Sequence, residues 1–236
     1  MKHPVSVFLT LAAIVIGVPT AAQTTAVPAG HWRGSINVPD NAVPIELDIA
    51  RDAKGGWLGT FTSSDVKGLP LGNVTVDGRA VKLVAKLGQY SGTFNGVLSE
   101  NGLALTGTYD TADGSYSIPF AVDRTGEAII EPAPKNPKVT ARLEGSWQGS
   151  LDVSGAPRRL LLKIQNQPDG TSSATINSLD AAGIDVPVRL SQQDSTVTIE
   201  IGVSSSRFVG TLGTDIVGAF SQGGATLPLT FKRLKP

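Results

Sequence analysis

Gly30-His31-Trp32-Arg33-Gly34 and Gly145-Ser146-Trp147-Gln148-Gly149 are two versions of one phrase, and each opens a run of short alternating segments. The runs also close alike: Ser117-Ile118-Pro119-Phe120-Ala121-Val122-Asp123-Arg124 is answered by Thr226-Leu227-Pro228-Leu229-Thr230-Phe231-Lys232-Arg233. Between them, Ser91-Gly92-Thr93-Phe94-Asn95-Gly96-Val97-Leu98 matches Ser206-Arg207-Phe208-Val209-Gly210-Thr211-Leu212. Three matched phrases in the same order are a tandem duplication, so two structural units of one kind are expected.

Each unit reads as antiparallel strands. Apolar and polar residues alternate over short stretches, and Gly, Asn, Asp or Pro stands between them. In the first unit eight strands begin near Trp32, Val43, Trp57, Leu69, Ala80, Gly92, Ala104 and Ser115. In the second they begin near Trp147, Pro157, Thr171, Asp185, Thr196, Ser206, Asp215 and Ala225. Asp77-Gly78, Glu100-Asn101-Gly102, Asp113-Gly114, Pro168-Asp169-Gly170 and Gln222-Gly223-Gly224 supply turns that accept positive φ. Leu160, Leu162 and Ile164 share one strand face, as do Val197, Ile199 and Ile201, because successive side chains point to opposite sides. Eight hairpin-linked strands can stack as a sandwich or close as an up-and-down barrel. Closure is favoured because it removes exposed edges. Gly96, Gly107, Gly210 and Gly218, inside strands, suit the sharp coiling of a barrel wall.

The expected fold class is therefore all-β, with two tandem eight-stranded antiparallel barrels after a signal peptide. Residues 1–22 form the leader: Lys2 and His3 precede an apolar run over residues 5–18, then Pro19 and the small residues Thr20-Ala21-Ala22. The run falls short of the ~20 residues a spanning helix needs, so export without stable membrane insertion is expected. The rest divides into barrel 1 (29–124), a linker (125–142) and barrel 2 (143–236). Pro132, Pro134 and Pro137 make that linker read as a semi-rigid extended rod rather than a strand. There is no cysteine, hence no disulfide staple and no cysteine-linked lipid. Losing Lys2 leaves 19 basic against 20 acidic residues. That balance carries no electrostatic footprint for nucleic acid. A periplasmic or extracellular bacterial protein is the expected localisation.

Gly-x-Trp on the first strand with Arg at the end of the last, here Gly30/Trp32 with Arg124 and Gly145/Trp147 with Arg233, resembles the closure signature of lipocalins and related small barrels. The resemblance implies that Trp32 and Trp147 close their barrels and that Arg124 and Arg233 pack across them, as a guanidinium can on an indole. In size the units look nearer to avidin-like barrels. The closing phrases also resemble a non-catalytic module that precedes the catalytic domain of some secreted bacterial α/β-hydrolases.

Chemistry is sparse. The only histidine after the leader is His31, and its counterpart in the second copy is Ser146. There is no Gly-x-Ser-x-Gly elbow, and one His with no Cys gives zinc no ligand cluster. Glu46, Asp48, Glu100, Asp123 and Glu200 could serve a glycosidase but form no motif. The reading is of a non-catalytic protein with no metal and no cofactor. Trp57, Tyr90, Tyr109 and Tyr116 concentrate polar aromatics in the first unit, whereas the second has no tyrosine. They are the candidate ligand-binding residues, with the wall or core of the barrel as the competing role. The expected partner is a small apolar molecule or glycan, or an envelope protein on which the barrels dock. The alternatives are an interaction or inhibitor module for a secreted hydrolase and, behind it, a hydrolase. Large inward side chains decide between carrier and docking piece, because eight strands leave room only for side chains or one small ligand.

Overall fold

The computed structural model describes residues 27–86, 88, 91–181 and 183–235. The leader over residues 1–22 and the candidate Tyr90 lie outside the described residues. The first unit comprises β1 (Gly30–Val38), β2 (Asn41–Arg51), β3 (Trp57–Thr62), β4 (Leu69–Pro70), β5 (Asn73–Asp77), β6 (Ala80–Ala85), β7 (Gly92–Leu98), β8 (Ala104–Thr111) and β9 (Ser117–Gly126). After β10 (Asn136–Pro137) the second comprises β11 (Gly145–Val153), β12 (Ala156–Asn166), β13 (Thr171–Ser178), β14 (Val186–Pro187), β15 (Arg189–Gln193), β16 (Thr196–Ile201), β17 (Ser206–Leu212), β18 (Ile216–Gln222) and β19 (Ala225–Arg233). Short 3-10 turns lie at Leu179–Ala181 and Gly202–Ser204.

Each unit is an eight-stranded barrel whose fourth strand is broken in two. In the first, neighbours run β4-β3-β2-β1-β9-β8-β7-β6-β5. Thus β4 pairs with β3 at one end of the sheet and β5 with β6 at the other. The break falls at Leu71-Gly72, where consecutive amides bond to opposite neighbours: Leu71 N to Gly59 O of β3 (2.9 Å), and Gly72 N to Val84 O of β6 (2.7 Å). One kinked strand thereby joins both ends of the sheet and pairs its edges. The second unit repeats the device with β14 on β13 and β15 on β16.

Opposed glycines let the wall coil tightly. Gly96 faces Gly107, and Gly210 faces Gly218. A Cβ on Gly107 would fall 1.9 Å from the Asn95 carbonyl oxygen, and one on Gly218 2.1 Å from that of Val209. No side chain fits either position.

The interiors are filled. In barrel 1 Phe94 has no exposed surface and lies against Phe61, Tyr109 and Phe120, with ring centroids 5.6, 4.7 and 5.2 Å away. In barrel 2 Phe208 and Phe231 meet edge to face at 5.3 Å, among buried Val197, Ile199, Leu162 and Leu229.

The segment expected as a free rod is attached at both ends. Asn136 pairs with Ser172 as a short edge strand beside β13. Its side-chain amide donates to Val188 O (3.1 Å) and accepts from Leu190 N (2.8 Å), so the residue bridges β13 to the broken fourth strand. Proline content concealed this, because an edge strand tolerates Pro137 without losing a ladder bond. The barrels also touch directly: Lys67 N donates to Val203 O at 3.0 Å, and Gly72 abuts the Ile184 side chain.

Candidate functional site

The Gly-x-Trp…Arg signature assembles in both barrels, with the arginine closer to its indole in the second. Trp32 pairs across the sheet with Arg124, and Trp147 with Arg233. Each guanidinium lies over its indole, 5.9 Å from the Trp32 ring and 4.3 Å from the Trp147 ring. Each indole N–H donates to the carbonyl four residues earlier, Pro28 (3.0 Å) or Leu143 (2.9 Å). The arginines then tie down the same entry segment: Arg124 donates to Ala29 O, and Arg233 to Arg142 O and Glu144 O. The opening glycine is part of this arrangement, since a Cβ on Gly30 would sit 2.5 Å from Arg124 Nε and one on Gly145 2.8 Å from an Arg233 Nη. In each barrel the Trp–Arg pair thus ties the entry segment to the first and last strands.

The candidate ligand-binding aromatics do not converge. Tyr109 is buried on Phe94 beneath Gly92, and that burial raises its phenol above the ordinary value. Tyr116 is 67 % exposed on the turn before β9. Trp57 is half-buried at the β2–β3 hairpin, with the Arg51 guanidinium 4.1 Å over its ring. Antiparallel connectivity puts the β2–β3 turn at the end where β9 finishes and the β8–β9 turn at the opposite end. Trp57 and Tyr116 therefore stand at opposite ends of barrel 1, with Tyr109 in the core. Alternation alone could not reveal this, because it reports the face of a residue and not its height along the barrel.

His31 sits in a network the sequence reading missed. It faces outward on β1 yet is only 7 % exposed. Its Nδ1 lies 2.8 Å from Asp48 Oδ1, and its Nε2 accepts from Arg33 Nε at 3.1 Å, which assigns the proton to Nδ1. Arg33 also pairs with Glu46 at 3.0 Å. Both ring nitrogens are thus engaged. The pairing was readable in principle: a two-residue turn at Pro39-Asp40, where Asp40 adopts φ 62°, fixes a register that sets His31 opposite Asp48.

Two open grooves lie outside the barrels. One, of about 430 Å³, lies between Pro134 and the β12–β13 turn. The other, of about 790 Å³, crosses the outer wall of barrel 2 and is lined by Gln148, Ser150, Pro157, Arg159, Pro228 and Lys232. Arg159 there is held by Asp180 at 2.7 Å, and this contact keeps the Asp180 carboxyl below its usual value. Among the described residues no group of three or more His, Asp or Glu could hold a metal ion, and no helix is long and apolar enough to cross a membrane.

No protein-family model matches the chain, and no curated protein matches it. Several solved structures overlap it loosely, three of them as follows. A Bacteroides fragilis protein provisionally described as an outer membrane protein is 15% identical, with 88% of this chain and 97% of that one covered at a TM-score of 0.29. A protein of unknown function from the DUF3598 family of Nostoc punctiforme is 13% identical, covering 90% and 97% at 0.26. A Nitrosomonas europaea protein provisionally assigned as AttH is 11% identical, covering 94% and 99% at 0.23. Such overlaps are too loose to pass a property from those proteins to this one.

Proposed function

We propose that the chain is an exported, non-catalytic docking protein of the bacterial envelope: a rigid pair of lipocalin-like barrels that engages another protein through its outer walls and end loops. The observation that supports this reading is the filled interior. Lipocalin-type carriage needs an emptied barrel, and here Phe94, Phe120 and Tyr109 occupy the first while Phe208 and Phe231 occupy the second. An eight-stranded barrel has room for side chains or for one small ligand, not both. A non-catalytic role is supported by His31, whose two nitrogens face Asp48 and Arg33 rather than a hydroxyl nucleophile. The likeness of the closing phrases to a module found ahead of secreted hydrolases makes such an enzyme one eligible partner.

Crosslinking in intact cells tests the proposal. A photoreactive residue replaces Tyr116 or Val217, which are 67 % and 58 % exposed. A discrete protein adduct at one position and not at the other is expected. Adducts at neither position, with an apolar molecule co-purifying instead, would overturn the docking reading in favour of carriage.

A further inference from the structure

Among the described residues, the outer wall of barrel 1 carries a buried His31–Asp48 pair that barrel 2 lacks at the matching register, and the interbarrel segment is fastened to it. Asp48 Oδ1 faces His31 Nδ1 at 2.8 Å and accepts the backbone N–H of Ile129 at 2.7 Å. The Thr60 hydroxyl makes a long contact with Oδ2 at 3.5 Å, and the Thr125 hydroxyl donates to the His31 carbonyl at 3.3 Å. The Ile129 side chain is 67 % exposed, so its backbone bond and not burial holds it there.

The duplication supplies a control. Register places Ser146 and Lys163 of barrel 2 where barrel 1 has His31 and Asp48. Lys163 is about half exposed and reaches to Asp185 at 2.8 Å. The barrel architecture is thus indifferent to the pair. What distinguishes barrel 1 at this place is the Ile129 amide, which the segment after β9 brings onto Asp48. In barrel 2 Leu234, just after β19, also reaches this position but donates only to the Ser146 carbonyl at 2.9 Å. The same segment ends by lodging Asn136 in the seam of barrel 2.

We propose that residues 125–137 form a two-ended clasp, anchored on barrel 1 by Asp48 and on barrel 2 by Asn136, which together with the direct Lys67–Val203 contact fixes how the barrels are placed relative to each other. His31 is a positioning residue that holds Asp48 for the Ile129 amide. The clasp stands apart from the docking proposal and holds whether the partner is a protein or a small molecule.

Hydrogen exchange read by mass spectrometry on the mature chain tests the first anchor. Asp48→Ala should speed exchange across residues 125–131 by about tenfold, the effect of losing one net hydrogen bond to a buried carboxylate. Ile129→Pro removes that N–H without altering barrel 1, although it also fixes φ at 129 and restricts Ala128. It should speed the neighbouring amides by a similar factor, Ile129→Ala, which keeps the N–H, should not, and the pair keeps the test valid if Asp48→Ala does not fold. Unchanged protection in Ile129→Pro would overturn the anchor. Distances between spin labels on the two barrels test the clasp: the combined Ile129→Pro and Asn136→Ala chain should show a broadened distribution. A distribution identical to that of the unaltered chain would overturn it.

Discussion

Replacing Phe94 with Ala tests whether barrel 1 is packed or merely lined. Phe94 is fully buried and shares contacts with three rings at 4.7–5.6 Å. Truncating a buried Phe costs about 3–5 kcal/mol, the loss growing with the cavity left behind. Each aromatic pair adds about 0.5–1.5 kcal/mol beyond its buried area, which puts this site at the upper end, near 5 kcal/mol. Against a typical domain stability of about 5–15 kcal/mol, the variant stands close to unfolding. Phe94→Leu, a milder change expected to cost about 1–2 kcal/mol, therefore accompanies it. Urea unfolding followed by tryptophan fluorescence reads both. The new hole is apolar and dry, so benzene or xenon should bind Phe94→Ala and raise its midpoint while leaving the unaltered chain unmoved. A loss below about 1 kcal/mol for Phe94→Ala, or benzene binding by the unaltered chain, would refute a packed interior, since only a side chain already beside a void is so cheaply removed.

Gly107→Ala should destabilise barrel 1 by more than about 2 kcal/mol in the same assay, because its Cβ would meet the Asn95 carbonyl at 1.9 Å, which only a backbone shift can relieve. Arg233→Ala should cost about 1–2 kcal/mol, removing a guanidinium stacked on Trp147 and its bonds to the entry carbonyls; Arg233→Lys should recover less than half, for want of a planar fork. Asp113 is held down to about 2, first by the Thr111 hydroxyl and then by the Ser115 amide and hydroxyl. Its contribution is present above the unfolded value near 3.8 and is lost as pH falls through about 2, so the difference in melting temperature between the unaltered chain and Asp113→Asn should shrink between pH 5 and pH 2. Tyr109 runs the other way. Burial raises its phenol, the unfolded chain releases that proton first, and stability should fall as pH rises above about 10, a decline that Tyr109→Phe removes.

How far the sequence reaches is clearest at the strands. Apart from β10 and the second halves of the two broken strands, β5 and β15, observed strands start within about two residues of the positions read from alternation, because a barrel wall imposes period two on each strand and each turn needs Gly or Asx. The kink at Leu71-Gly72 was invisible, since alternation continues on both sides and only the amide directions change. Trp57, Tyr109 and Tyr116 could be listed as polar aromatics but not placed, because their separation depends on which hairpin ends lie together. Asp48 is the sharpest case. It was one of several unpaired carboxylates in the sequence, and its register partner His31 follows from a turn, but the Ile129 amide that completes the site comes from a segment whose prolines read as a free linker.

The most direct test of filled barrels is native mass spectrometry of the protein purified gently from cells that make it, compared with the same sample denatured. A bare polypeptide mass in both spectra is expected. A stoichiometric extra mass that denaturation removes would contradict the packed interiors and establish a carrier in place of a docking protein.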